Sequence, residues 1–315
     1  PTTTSSFPSR HGTAARAGLY YLPQSTYRIQ LRPDFDLQAT RQLLSYLRQL
    51  GISDVYLSPL FHARANSTHG YDVVDHARIE PSFGNLDSFG ELAAEADRLG
   101  MGVLLDLIPN HMGINDAGNA WWLDVLENGP TARHADSFDI DWNPTAPNLR
   151  HKVLLPFLGR PFAEVLEQGE LQVRYAEQRF HLEYFAARFP LAPRTWPLVL
   201  EPLCASFREQ LSTVDDENAQ AALLELESIV TQLQQLPDVD RTDEAATVQR
   251  YREQLVARRR LASLLDCCDA LNDALRDTLT ALNGTPGQPR SFDRLEQLIN
   301  RQWYRLAYWR VAADE

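Results

Sequence analysis

Val103-Leu-Leu-Asp-Leu-Ile-Pro-Asn-His111 decides the fold. Its apolar residues fall on consecutive positions instead of alternating, as in a parallel strand with both faces buried. The carboxyl end of that strand carries a carboxylate (Asp106), an amide (Asn110) and an imidazole (His111). In parallel β/α barrels, chemistry sits where strands end and loops begin. Working backwards, Leu99-Gly100-Met101 marks a helix turning into this strand, and Leu50-Gly51-Ile52 repeats the same punctuation one unit earlier. Between them Phe89, Leu92, Ala93, Ala96 and Leu99 trace one helical face; Leu37, Leu43, Leu44, Leu47 and Leu50 trace another, with Asp36 as its N-cap. Strands are expected at Tyr27–Leu31, Val55–Leu57 and Val103–Ile108, with a long loop from Ser58 to Gly84. The β-α-β-α-β order implies right-handed crossovers. It fits a barrel and an open doubly wound sheet equally well.

Beyond His111 the alternation stops. Residues 116–200, rich in Trp, Pro, Asn and Asp, read as an inserted loop domain with strand-like pieces at Leu171–Tyr175 and Arg179–Leu182. Residues 201–289 read as a helical hairpin insert. One helix is marked by Ala219, Ala222, Leu226, Ile229, Leu233 and Leu236, and a second runs from Asp243 to Leu282. Residues 290–315 are expected to form a helix leading back to the barrel segment, 19–115, and residues 1–18 a disordered tail.

The chain has 315 residues, 44% of them hydrophobic, which is ample for a packed core. Its net charge of −12 argues against a nucleic-acid partner. Arg258-Arg259-Arg260 reads as a solvated helix face. The three cysteines, Cys204, Cys267 and Cys268, show no metal-type spacing with histidine, and a reducing cytoplasm fits them best. No apolar stretch is long enough to span a bilayer.

A family resemblance enters at Gly70-Tyr-Asp72, Ile79-Glu-Pro-Ser-Phe-Gly84 and Asp106-Leu-Ile-Pro-Asn-His111. These stretches resemble the α-amylase superfamily of glycoside-active barrels (glycoside hydrolase family 13). More narrowly, Thr26–Arg32, Leu57-Ser-Pro-Leu60 and Tyr304–Glu315 resemble the malto-oligosyltrehalose synthase family. The resemblance implies an α/β fold, the N-terminal part of a (β/α)8 TIM barrel of about three βα units, with an irregular inserted domain and a long α-helical insert. It implies a malto-oligosaccharide substrate whose reducing-end α-1,4 bond is rearranged to α,α-1,1 with retention, through an Asp nucleophile and a Glu acid/base. It also implies no cofactor, no membrane, and a functional partnership with a malto-oligosyltrehalose trehalohydrolase.

Carried over residue by residue, Tyr71 matches the tyrosine stacking under the sugar, since a pyranose offers C–H groups to a π face. The alternative is a loop tyrosine packing on its neighbour. His111 matches the histidine that hydrogen-bonds a hydroxyl of the same sugar, and His69 and Asp72 are placed with the substrate-binding residues. Asp72 either orients Tyr71, reaches a hydroxyl, or is purely structural. Asp106 is expected to hold an arginine from a later strand, because a buried carboxylate needs a partner. Asn110 is a second structural residue at the site; the resemblance offers it as a calcium ligand as the lesser alternative, since no acids follow at cage spacing, and no metal is expected. Trp121, Trp122 and Trp142 are expected in the insert core.

The pattern then breaks. The family's Gly-x-Arg-x-Asp-His-type nucleophile segment is missing, and Asp139, Asp141, Asp240 and Asp243 follow no apolar strand. Catalytic residues are therefore expected beyond Glu315, and this chain alone is expected to be inactive. Rival readings are another α-glucan hydrolase or transferase, and a noncatalytic glucan-binding fragment.

Overall fold

The computed structural model describes residues 22–114, 118–212, 216–237 and 243–312. The expected tail, 1–18, and Asp240 lie outside them. The chain divides into two compact units, one up to His111 and one from Met112.

The first unit is built from β1 (Thr26–Ile29), α1 (Leu37–Gln49), β2 (Asp54–Leu57), β3 (Phe61–Ala63), β4 (Val73–Ile79), α2 (Leu86–Arg98) and β5 (Gly102–Leu105). Strands β1, β2 and β5 are parallel and lie in chain order. This is an arc of a β/α barrel, and no barrel closes among the described residues. Asp36 caps α1, its Oδ1 accepting from the Ala39 N–H at 2.8 Å. Asn85 and Ser88 form a capping box on α2. Both helices bury Leu37, Leu44, Leu47, Leu92 and Ala96 together with Ile29, Val55 and Leu57 of the sheet. The expected loop from Ser58 to Gly84 instead contains the antiparallel pair β3 and β4. The third strand stops at Leu105, and Leu104 and Leu105 are exposed on an edge strand, so this strand is not buried on both faces.

The second unit contains α3 (Ala120–Asn128), β6 (Val153–Leu158), α4 (Phe162–Glu167), β7 (Leu171–Ala176), β8 (Arg179–Tyr184), β9 (Ala187–Pro190), α5 (Pro197–Leu211), α6 (Glu217–Gln234), α7 (Glu244–Cys267), α8 (Asp269–Leu282), α9 (Asp293–Asn300) and β10 (Tyr304–Tyr308). Strands β7, β8 and β9 form an antiparallel meander. One core runs through segments 116–200 and 201–289 alike, from Trp122, Phe180 and Trp196 to Phe207, Leu226, Leu261 and Leu295.

Several expectations are corrected here. The helical segment is four helices, not a two-helix hairpin, because α5 precedes the expected pair and the long second helix breaks at Cys268. There the backbone turns extended, and the Asn272 side chain donates to the Leu265 carbonyl. The stretch 290–315 is not one helix: after α9, Tyr304–Tyr308 pairs in parallel with β6. Tyr304 and Leu306 are buried while Arg305 is exposed, a strand's period of two. Arg258 and Arg260 are not a solvated face, since they pair with Glu127 and Glu225. Trp122 and Trp142 are buried, whereas Trp121 is partly exposed and stacks on His134 with centroids 4.3 Å apart.

Candidate functional site

Parallel register assembles the site. Arg28 of β1 lies beside Tyr56 of β2, which lies beside Leu104 of β5. Their neighbours Ile29, Val55 and Leu57 pack on the helices. The pleat therefore turns Arg28 and Tyr56 to the opposite face. The guanidinium carbon of Arg28 sits 5.7 Å from the Tyr56 ring centroid.

Asp106 stands one residue past β5, its N–H donating to the Leu57 carbonyl at 3.2 Å. Its Oδ2 accepts from the Tyr71 hydroxyl at 2.8 Å. That hydroxyl accepts in turn from Arg28 Nη2 at 3.5 Å. A hydrogen bond to Asp106, then partial burial and the Asp106 charge, push the Tyr56 phenol above its ordinary range, against the pull of Arg28. Asp106 is thus satisfied by two phenols. Among the described residues no arginine pairs with Asp106, and the arginine of a later barrel strand stays an expectation.

Tyr71 reaches this position because Gly70 precedes it. Gly70 has φ +75°, and a Cβ there would lie 3.1 Å from Pro59 Cβ and 3.3 Å from the Pro59 carbonyl oxygen. An L side chain would be strained twice over. The Tyr71 ring, its hydroxyl fixed at one edge, remains 38% exposed. The imidazole of His111 donates from Nε2 to the Tyr71 carbonyl at 3.0 Å, and its Nδ1 lies 3.2 Å from the Asn110 side chain. His76 of β4 donates to the Ile108 carbonyl at 3.1 Å, fixing the loop between Asp106 and His111.

His69 and Asp72 play other parts. His69 Nδ1 accepts from the Tyr71 N–H at 3.0 Å, and the two rings lie 5.9 Å apart. Asp72 accepts from Ser67 on one oxygen and faces Arg64 Nε at 3.3 Å on the other. Both oxygens are spent on the β3–β4 hairpin. A cavity of about 570 Å3 adjoins the cluster, with His69 and Gly70 in its wall beside Gln30–Asp34 and the paired His62 and Glu80.

The structure therefore brings Tyr71, Asp106, Asn110, His111 and His69 together, and leaves Asp72 as a brace. Sequence reading missed Arg28, Tyr56 and His76. Tyr56 could have been found, because it sits between two apolar residues of a short strand and must face away from them. Of the other acids considered, Asp243 caps α7 and Asp141 accepts from the Asn143 N–H at 2.9 Å. Asp139 is exposed. The cluster offers an exposed ring, an imidazole and fixed polar edges, a set suited to a polyhydroxylated ring.

Comparison with known proteins gives this arc of barrel a class. The profile of the alpha-amylase catalytic domain matches residues 12–194, and the chain belongs to that family. Its barrel is a partial one. A Mycobacterium tuberculosis protein named as a maltooligosyl trehalose synthase is 41% identical over 141 residues, 43% of this chain and 18% of that protein. The intracellular maltogenic amylase of Bacillus subtilis is 38% identical over 105 residues, 33% of this chain and 17% of the amylase. The solved structure of a glycosyltrehalose synthase, DSM5389, is similar in fold, with a TM-score of 0.51 and 22% identity over 91% of this chain and 27% of that one. The matched stretch thus spans about a fifth of the length of these curated relatives.

Proposed function

We propose that this chain forms the glucose-binding floor of an enzyme that converts the reducing-end α-1,4 bond of malto-oligosaccharides to an α,α-1,1 bond. The observation that carries this reading is the Tyr71–Asp106–His111 cluster at the strand ends, in a chain of the alpha-amylase family whose relatives include a protein named as a maltooligosyl trehalose synthase. Tyr71 offers its ring face to the sugar, while Asp106 and Arg28 hold its hydroxyl edge. His111, held to the Tyr71 carbonyl through Nε2, turns its Nδ1 edge to a hydroxyl of the same sugar. Asn110, beside Nδ1, restricts the tilt of that ring.

The chemical step needs a nucleophilic carboxylate to form the glycosyl intermediate and an acid/base to protonate the leaving oxygen. The released glucose then turns and attacks through its anomeric hydroxyl. Positioning supplies much of that rate, and exclusion of water prevents hydrolysis. The family's Gly-x-Arg-x-Asp-His-type nucleophile segment does not occur in this sequence, so the 315 residues alone are expected to bind maltopentaose without converting it.

The test incubates this chain, and a form extended to the length of the relatives, with maltopentaose. Loss of reducing ends without free glucose, in the longer form only, is the expected result. Free glucose as the main product replaces the reading with that of a sister hydrolase. Binding without conversion in both forms leaves a noncatalytic glucan-binding protein.

A further inference from the structure

The second unit encloses a cavity of about 740 Å3 between the loop before β6, the turn at Arg194 and the junction of α9 with β10. That volume is within the roughly 300–1,000 Å3 of small-molecule sites. Arg150, Lys152, Arg194 and Arg301 line it, and none of the described lining residues is acidic. Among the described residues no ion pair joins any of these four cations to a carboxylate. Elsewhere in the same unit, Arg160, Arg188, Arg208, Arg258, Arg260 and Arg276 each face an acid. In a chain of net charge −12, four such cations around one hollow call for an anion.

Two of the cations are held in place. The Arg194 guanidinium carbon sits 3.6 Å from the ring centroid of Trp303. Trp303 is buried against Gly129, where any Cβ would collide with the indole. Stacking uses the guanidinium face and leaves its in-plane N–H groups free for a planar acceptor. Lys152 donates from Nζ to the Asn300 carbonyl at the end of α9, at 2.5 Å, which keeps its remaining N–H groups for a ligand. Burial, then the charges of Arg305 and Arg194, pull the Lys152 ammonium below the ordinary lysine range. A bound anion would relieve both neighbouring repulsions. His151, between Arg150 and Lys152, holds the loop in a left-handed conformation at φ +58°.

We infer that this cavity binds a phosphate monoester carried on a polar body of about hexose size, with Arg150, Lys152, Arg194 and Arg301 on the phosphate. Charge-assisted, bidentate donors suit a phosphate. The cavity is far larger than inorganic phosphate, and Asn143 and Asn300 add polar wall. Trp142 and Trp303 are too buried to offer a stacking face, so the body is held by hydrogen bonds. None of this rests on the glucan reading of the first unit.

Calorimetric titration of the protein with glucose 6-phosphate, inorganic phosphate and maltose tests the assignment. Glucose 6-phosphate should bind at least about ten-fold tighter than inorganic phosphate, and maltose should not displace it. Arg150→Gln and Arg301→Gln, both at exposed positions, should each weaken binding by about ten-fold or more with an unchanged circular dichroism spectrum. Equal affinity for inorganic phosphate overturns the polar body. Displacement by maltose makes the cavity a glucan site, and absence of binding, or indifference to both substitutions, removes the anion site.

Discussion

The two units solve the burial problem in opposite ways. The second wraps one core around its own helices and meander, and buries even an ion pair, Glu127 with Arg258. The first covers one face of its three strands with α1 and α2 and leaves Leu104, Leu105 and Leu107 exposed. Its other face carries Arg28 and Tyr56, beside the strand-end cluster. The strand-end cluster thus lies on the first unit's uncovered face, while the second unit carries charge inside its core.

Removing the buried charge should break that contrast most strongly. Glu127 is 3% exposed and faces Arg258, with Arg179 at 3.4 Å as its second partner. Arg258→Met strips away the nearer cation and should cost about 3 kcal/mol, the low end for an uncompensated buried ion. Calorimetry should show the second unit's transition falling by on the order of 10 °C. The first unit's transition should stay in place, and a single transition that shifts as a whole would abolish the division into two stabilities.

A smaller effect is expected where the first unit's backbone is forced. Gly70→Ala places a Cβ against Pro59 at a positive φ and should cost about 1–2 kcal/mol. The change should also displace Tyr71, so maltopentaose binding should weaken together with the lower denaturation midpoint. Unchanged binding would mean that the ring does not depend on this turn.

What the sequence made legible follows the same division. In the first unit, glycine stops, the Asp36 cap and 3.6-residue stripes are local signals, and the observed helices lie where they point. Tyr71, Asp106 and His111 could be gathered because each sits at a strand end or in the loop beside it. Arg28 was not legible, because its place depends on strand register, which pairs it with Tyr56 across 28 positions. The second unit resisted for a related reason. The pairing of β6 with β10 spans about 150 residues, and no periodicity announces the Cys268 break, where the Asn272 amide meets the Leu265 carbonyl.

Tyr71 sharpens the comparison at the level of a single ring. Tyr71→Ala removes the platform and should weaken maltopentaose binding by about ten-fold, the worth of one aromatic contact. Tyr71→Phe keeps the ring and loses the bond to Asp106, so it should weaken binding only about two- to three-fold. Equal losses in the two variants would show that the hydroxyl network, not the ring face, does the binding.

The smallest effect concerns Glu80, half-buried beside His62. Burial favours its neutral form, yet hydrogen bonds from His62, the Ser82 and Ala63 N–H groups and the Ser82 hydroxyl outweigh this and hold the carboxyl below its usual range. A depressed carboxylate stabilises the fold above its unfolded pKa of about 4.3, and that contribution disappears as pH falls through the folded value. Glu80→Gln should therefore cost about 0.5–1 kcal/mol at pH 7, with solvent screening keeping it small. Denaturant midpoints of the two proteins should converge as the pH drops below about 4. A gap that widened on acidification would mean that Glu80 is held in its neutral form, and the hairpin carrying His69 and Tyr71 would then be braced by packing alone.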